Sequence, residues 1–146
     1  MPSPYMKNIR PSLTLALLEA REALMTHFRP ELNEMGLTEQ QWRIIRTLAQ
    51  YQELDSTTLA EKACILKPSL TGIINRMLET GLIVRRRSDA DQRFSFISLS
   101  EDGEKIFSQM RGRMESRYQK IQDRLGEEKM KQLMELLKEV QSLKQD

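Results

Sequence analysis

The apolar pattern of this chain departs from helical spacing in one stretch, and that departure constrains the architecture more than any other feature. Upstream of residue 82, apolar residues return at intervals of three and four, the signature of helices with one buried face. Leu82-Ile83-Val84 then leads into Arg85-Arg86-Arg87. After the polar stretch Ser88-Asp89-Ala90-Asp91-Gln92-Arg93, the run Phe94 to Leu99 is rich in aromatic and β-branched residues. Two extended runs around a polar loop predict a β-hairpin. Helical spacing resumes at Phe107, Met110, Met114, Tyr118, Ile121 and Leu125. The expected fold class is therefore mainly α with one small β-hairpin.

Local signals place the helices. Leu13, Leu17, Leu24, Phe28 and Leu32 make one stripe, with Pro30 a kink site and Gly36 the stop. Thr38 and Gln41 form a capping box ahead of Trp42, Ile45 and Leu48, and Asp55 caps a short third helix through Leu59 and Ala63. Pro68 fits the first turn of a fourth helix that Gly81 closes. Ser100 caps a fifth of about 25 residues, roughly 37 Å long. Gly126 separates it from a last helix carrying Met130, Leu133, Leu137 and Val140. No repeat or Pro/Gly-rich linker divides residues 1–146, so one domain is expected.

Several function classes are poorly supplied. No run approaches the roughly 18 apolar residues of a membrane span, and residues 1–10 lack the apolar block of a secretory signal, which points to the cytoplasm. One cysteine excludes an internal disulfide framework, and one histidine beside it is too few soft ligands for zinc. No nucleophile, base and orienting group form a catalytic signature, so neither enzyme chemistry nor a cofactor or metal is expected. Cys64, followed by Ile65-Leu66, reads as a small buried hydrophobe, and the nine methionines read as core and interface packing.

Net charge is only +2, but it is unevenly placed. Residues 1–66 carry seven Lys/Arg against eight Asp/Glu, and residues 101–146 carry ten against ten. Residues 67–93 carry six against three, namely Lys67, Arg76, Arg85, Arg86, Arg87 and Arg93 against Glu79, Asp89 and Asp91. On a helical wheel, Leu70, Ile73, Ile74, Met77 and Leu78 occupy one arc of the fourth helix, while Ser69, Thr71, Gly72, Asn75 and Arg76 occupy the other. Those side chains suit a recognition helix in the major groove: Arg pairs with guanine edges, Asn with adenine, and Ser or Thr with bases or phosphate. The alternative is an ordinary amphipathic helix with an uncharged exterior. Three consecutive arginines repel one another unless an anion relieves them, and DNA phosphate is such an anion. Arg93 can reach a minor groove, oriented by Asp91 two residues earlier. The alternative there is a surface network of Asp89, Asp91 and the arginines.

The order of these elements resembles a known family. Leu59-Ala60, Lys67-Pro68-Ser69-Leu70-Thr71, Gly81-Leu82-Ile83 and Asp89-Ala90-Asp91-Gln92-Arg93 are similar to the corresponding motifs of the MarR (multiple-antibiotic-resistance regulator) family. Ala20-Arg21-Glu22-Ala23, Gln40-Gln41-Trp42-Arg43-Ile44 and Ala63 to Gly72 resemble its subgroup regulating homoprotocatechuate (4-hydroxyphenylacetate) degradation operons. The resemblance implies a winged helix-turn-helix DNA-binding lobe over residues 37–99, and dimerisation helices over 10–35 and 100–146. It also implies a homodimeric repressor on a pseudo-palindromic operator of double-stranded DNA, released by a small phenolic or aromatic carboxylate. Independently, a fifth helix of that length cannot bury its stripe in so small a lobe and needs a partner surface, unless it folds back as an intramolecular hairpin. The DNA-binding set is then Lys67, Pro68, Ser69, Thr71, Gly72, Asn75, Arg76, Arg86, Arg87, Asp91, Gln92 and Arg93.

An effector site is expected on the first two helices. Arg21 falls inside the apolar stripe of the first helix and must find an anion, either Glu31, another acidic residue or the partner subunit, or a ligand carboxylate. His27 lies at the stripe's edge and Trp42 with Arg46 can form a pocket wall; in phenolic-acid-binding members of the family an Arg and a His on the first helix take this part. Rival readings are a repressor of an efflux or fatty-acid-resistance system, and a winged-helix module that binds protein.

Overall fold

The computed structural model describes Met1 and residues 3–145. After a 3-10 turn at Pro4–Met6 come α1 (Leu13–Glu34), α2 (Glu39–Tyr51), β1 (Glu53–Asp55), α3 (Ser56–Ala63) and α4 (Lys67–Glu79). Then follow β2 (Ile83–Arg87), β3 (Ser95–Leu99), α5 (Glu101–Leu125) and α6 (Glu127–Gln141). Each expected helix forms, and the caps act as the sequence dictates. Thr38 Oγ1 accepts from Gln41 N–H at 3.1 Å while the Gln41 side chain accepts from Thr38 N–H. Asp55 caps α3 through Thr58 N–H, and Ser100 caps α5 through Gly103 N–H. Gly81 and Gly126 take the left-handed backbone (φ +79° and +97°) that turns the chain out of α4 and α5.

One strand was not expected. β1 lies on β3, giving an antiparallel sheet of order β1-β3-β2 with Leu54 opposite Ile97 and Arg85 opposite Ile97 from the other side. Three residues are too few to show a period of two, so β1 has no pattern of its own in the sequence. Phe94, expected in the strand, lies just before it and is exposed.

The core sits where α2, α3 and α4 meet the inner face of the sheet. Ile44, Ile45 and Leu48 of α2, Leu59 of α3, Ile74 and Met77 of α4, and Ile83 and Ile97 of the hairpin are all buried. Each such side chain stabilises the lobe by about 1.5–3 kcal/mol relative to exposure. Leu32 of α1 and Met110 of α5 join the same cluster and fasten the long helices to it. The α5 start is keyed to the α4–β2 turn. Ser100 N–H donates to Leu82 O at 3.1 Å, its hydroxyl donates to Gly81 O, and Gly103 lies so close to the Leu82 carbonyl that no Cβ fits.

Other apolar residues of the long helices are left bare. Leu13, Leu18 and Leu24 of α1 and Met134, Leu136 and Val140 of α6 are exposed. Across the junction, Glu31 of α1 accepts from Arg117 at 3.0 Å and from Arg113 at 3.3 Å, and Glu34 accepts from Arg113 at 2.8 Å. Glu31 is thus committed to α5, not to Arg21. Cys64 is a correction to the sequence reading: it is exposed, because it holds the left-handed position that ends α3 (φ 54°, ψ 49°), and Ile65 fills the buried site instead. No helix among the described residues is long and apolar enough to cross a membrane.

Candidate nucleic-acid interface and effector cavity

The α4 helix divides as the wheel requires. Leu70, Ile74 and Met77 are buried, whereas Lys67, Pro68, Ser69, Thr71, Gly72, Asn75 and Arg76 are all exposed. None of the polar side chains in that exposed set makes a hydrogen bond or ion pair among the described residues, and no acidic residue occupies the first turn. A solvated helix face ordinarily satisfies its donors within itself or mixes charge signs; this one keeps its side chains free.

The wing is built differently. Ser88 Oγ accepts from the amides of Ala90 and Asp91, and the Gln92 side chain donates back to Ser88 O at 3.2 Å. Asp91 gathers the backbone N–H, Nε and Nη2 of Arg93 at 3.0–3.2 Å and 2.9 Å. That hydrogen bonding from Arg93 holds the Asp91 carboxyl below the ordinary carboxylate range. Arg93, with its side chain 87% exposed, therefore projects from the tip on a defined base, as the two-residue spacing foretold. Gln92 is spent on the loop, and its carbonyl accepts from Arg87 at 3.0 Å.

Strand parity gives the three arginines separate roles. Arg86 faces outward with Phe96, stacks over that ring at 4.8 Å, and forms a bidentate pair with Glu53 of β1 at 2.8 and 2.6 Å. Glu53 is held below the usual carboxylate range by those bonds. Arg86, expected on DNA, is thus already neutralised inside the protein. Arg85 shares the inner face with Ile83 and Ile97 and points toward α4. The sequence set omitted Arg85, although counting by twos from Ile83 assigns it that side.

A second feature lies between α2 and α5. A cavity of about 600 Å³ is walled by Phe28, Trp42, Phe107 and Tyr118, with Arg46 and Arg111 at its polar side. Trp42 stacks on Phe107 with ring centres 6.0 Å apart. Arg46 donates to Gln50 at 3.1 Å and makes no ion pair among the described residues. Glu115 also lines the cavity. An adjoining cleft of about 460 Å³ shares Trp42 and Arg46 and adds Arg21 and Cys64. Arg21 has its anion, the half-buried Glu39 at the start of α2, with Glu22 at 3.9 Å. His27 lines neither space. Trp42 and Arg46 line one space, as their spacing on the second helix suggests, and the sequence reading did not name Phe107, Arg111 and Tyr118, because Phe107 and Tyr118 read simply as part of an apolar stripe.

The family model described as "MarR family" matches residues 37–94, and a regulator of Neisseria gonorrhoeae, FarR, is 48% identical over 129 residues, 88% of each chain. The chain belongs to the MarR family. The homoprotocatechuate degradative operon repressor of Escherichia coli is likewise 48% identical over 128 residues, 88% of this chain and 86% of the repressor. Among solved structures, NadR in complex with 4-hydroxyphenylacetate superposes with a TM-score of 0.85 at 45% identity, covering 99% of this chain and 100% of NadR. In a MarR-family chain the 37–94 match spans α2 to the wing tip, the segment that carries both the free α4 face and Arg93.

Proposed function

We propose that this MarR-family chain is a dimeric transcriptional repressor of an aromatic-acid catabolic operon, released from its operator by a small phenolic acid of the homoprotocatechuate or 4-hydroxyphenylacetate type. Residues 37–99 form the DNA-binding lobe, and residues 10–35 and 100–146 form the dimerisation part of a single domain. The role is cytoplasmic, and it is binding and release without catalysis or cofactor. The observation that carries it is a coincidence in one chain 48% identical to a homoprotocatechuate operon repressor. A recognition-type helix face with unspent donors lies on the lobe that α2 shares with an aromatic cavity against α1 and α5, whose cations Arg46 and Arg111 make no ion pair among the described residues.

Ser69, Thr71, Asn75 and Arg76 read base edges, Lys67 meets backbone phosphate, and Arg93 enters the minor groove on its Asp91 base. Pro68 and Gly72 carry no donor to a base; their part is to start the helix and let backbone approach. Exposed leucines of α1 and the apolar residues of α6 form the twofold interface, since contiguous apolar surface of that kind marks association. The pair of α4 helices would then stand about one DNA turn apart, roughly 34 Å.

In the cavity, an aromatic ring lies against Trp42 and Phe107, and its carboxylate takes Arg46, which is bonded only to the neutral Gln50, by a charge-assisted bond. Arg21 stands at the edge of this arrangement, where an effector carboxylate competes with Glu39. His27, off both spaces, contributes little. Because the cavity joins α5 to α2, filling it changes the angle between the dimerisation helices and the DNA-binding lobe. A coupling of about 1–3 kcal/mol suffices for a 5- to 150-fold loss of operator affinity. The test is a titration of the bound duplex with 4-hydroxyphenylacetate, homoprotocatechuate and salicylate. Wild-type protein should release the duplex to at least one of these acids and Arg46→Ala should retain it; no release of the wild type by any of them would overturn the effector reading.

A further inference from the structure

We propose that the notch between α3, α4 and the wing strands is a seat for one backbone phosphodiester of the duplex, with Arg85 and Lys67 as its paired cations. This rests on the DNA-binding reading above. The notch is a cavity of about 190 Å³ in which the side chains of Lys67, Thr71, Arg85 and Ser95 converge with Ser56 over the apolar floor of Leu70 and Ile74. Four separate elements therefore supply two cations and three hydroxyls to one small opening.

Three observations make an anion the natural occupant. First, the other wing arginines are engaged: Arg86 with Glu53, Arg87 with the Gln92 carbonyl, Arg93 with Asp91. Arg85 alone of the four makes no hydrogen bond or ion pair among the described residues. Second, Lys67 opens α4, where the helix dipole already presents positive charge, and no side chain caps that end. A cation at a helix N-terminus is unfavourable by itself, and Arg85 across the notch adds to it. Third, the neighbouring carboxylates are turned elsewhere. Asp55 lies on the Phe96 face of the sheet, opposite to Arg85, and its oxygens accept from Thr58 N–H and Oγ1 at 3.1 and 2.6 Å. Glu53 is bound to Arg86 on that same outer face. A single anion at this point satisfies both cations and accepts from the Ser56 and Ser95 hydroxyls. A phosphodiester is the occupant favoured by position, because the notch opens beside Thr71 on the face of α4 that carries the base-reading residues.

The seat would fix the depth and register of α4 in the groove without reading sequence. Its test uses the full-length protein and labelled duplexes, one selected from a random pool and one of scrambled sequence, titrated between 50 and 200 mM KCl. Arg85→Gln should weaken both duplexes alike and reduce the slope of log affinity against log salt by about 0.9, one phosphate contact. Over that fourfold salt range this variant should lose about 3.5-fold less affinity than wild type. Arg85→Lys, which keeps the charge, should restore the slope. A methylphosphonate scan should find one linkage whose neutralisation weakens wild type but not Arg85→Gln. An unchanged slope in Arg85→Gln, alongside normal wild-type binding, overturns the seat and leaves the DNA reading standing. Wild type that binds neither duplex overturns both. A third arm adds inorganic phosphate at matched ionic strength: a rise in wild-type Tm that Arg85→Gln lacks, together with an unchanged DNA slope, would assign the notch to free phosphate instead.

Discussion

Two glycines of the same helix should answer oppositely to the same substitution. Gly103 and Gly112 both lie within α5, but a Cβ at Gly112 meets nothing within 4 Å, whereas at Gly103 it runs into the Leu82 carbonyl and presses the Leu99 side chain at 3.2 Å. The carbonyl belongs to backbone pinned by Ser100 N–H, so it cannot yield cheaply. Gly112→Ala should stabilise by about 0.5–1 kcal/mol through helix propensity. Gly103→Ala gains the same term but also overpacks, at a cost of about 1–3 kcal/mol. The net result lies between about zero and about 2.5 kcal/mol of destabilisation. For a chain of this size each kcal/mol moves Tm by roughly 2–4 °C. Denaturant titrations at one fixed protomer concentration, needed because association shifts apparent stability, read the difference directly. If Gly103→Ala proves as stable as Gly112→Ala, the close docking of α5 onto the α4–β2 turn is wrong.

Other consequences follow from the same geometry. Arg93→Ala should cut the salt slope of duplex binding by about 0.9, read by fluorescence anisotropy; an unchanged slope removes the wing from the interface. Asn75→Ala should lower affinity for a selected duplex by about 1–3 kcal/mol while scarcely altering random DNA, and equal losses on both would mean that this side chain does not read bases. The Glu31 carboxyl is held down chiefly by hydrogen bonding from Arg117, and then by Arg113. A depressed carboxylate contributes stability above its unfolded pKa and loses it as pH falls through the folded value. Glu31→Gln should therefore flatten the loss of stability on acidification below about pH 4.5, and a pH–stability profile parallel to wild type would show that the α1–α5 pairing contributes nothing.

How much of this was readable in the chain depended on how local the cause was. Caps, helix stops and the two faces of α4 follow from neighbours within one or two turns, so Thr38, Asp55, Pro68, Gly81 and Ser100 announced them directly. The Asp91–Arg93 pair was legible for the same reason. The partners of Arg21 and Arg86 were not: Glu39 and Glu53 lie 18 and 33 positions away, and only the packing of α1 on α2 and of β1 on β3 brings them near. The cavity was half legible. Trp42 and Arg46 are four residues apart on one helix, while Phe107 and Tyr118 come from a helix whose placement over α2 no periodicity encodes. Cys64 shows the limit of composition alone, because the backbone conformation at a helix end turned an apolar-flanked residue outward.

Hydrogen exchange with and without duplex tests most directly whether the outer side of α4 and the wing tip are what the protein lays on DNA. Saturating duplex at low salt should slow exchange over residues 67–76 and 87–93, leave the last turns of α6 unaffected, and lose its effect as salt rises, with two chains bound per duplex. Protection confined to α1 or α6, or a salt-insensitive complex with one chain per duplex, would contradict the assignment.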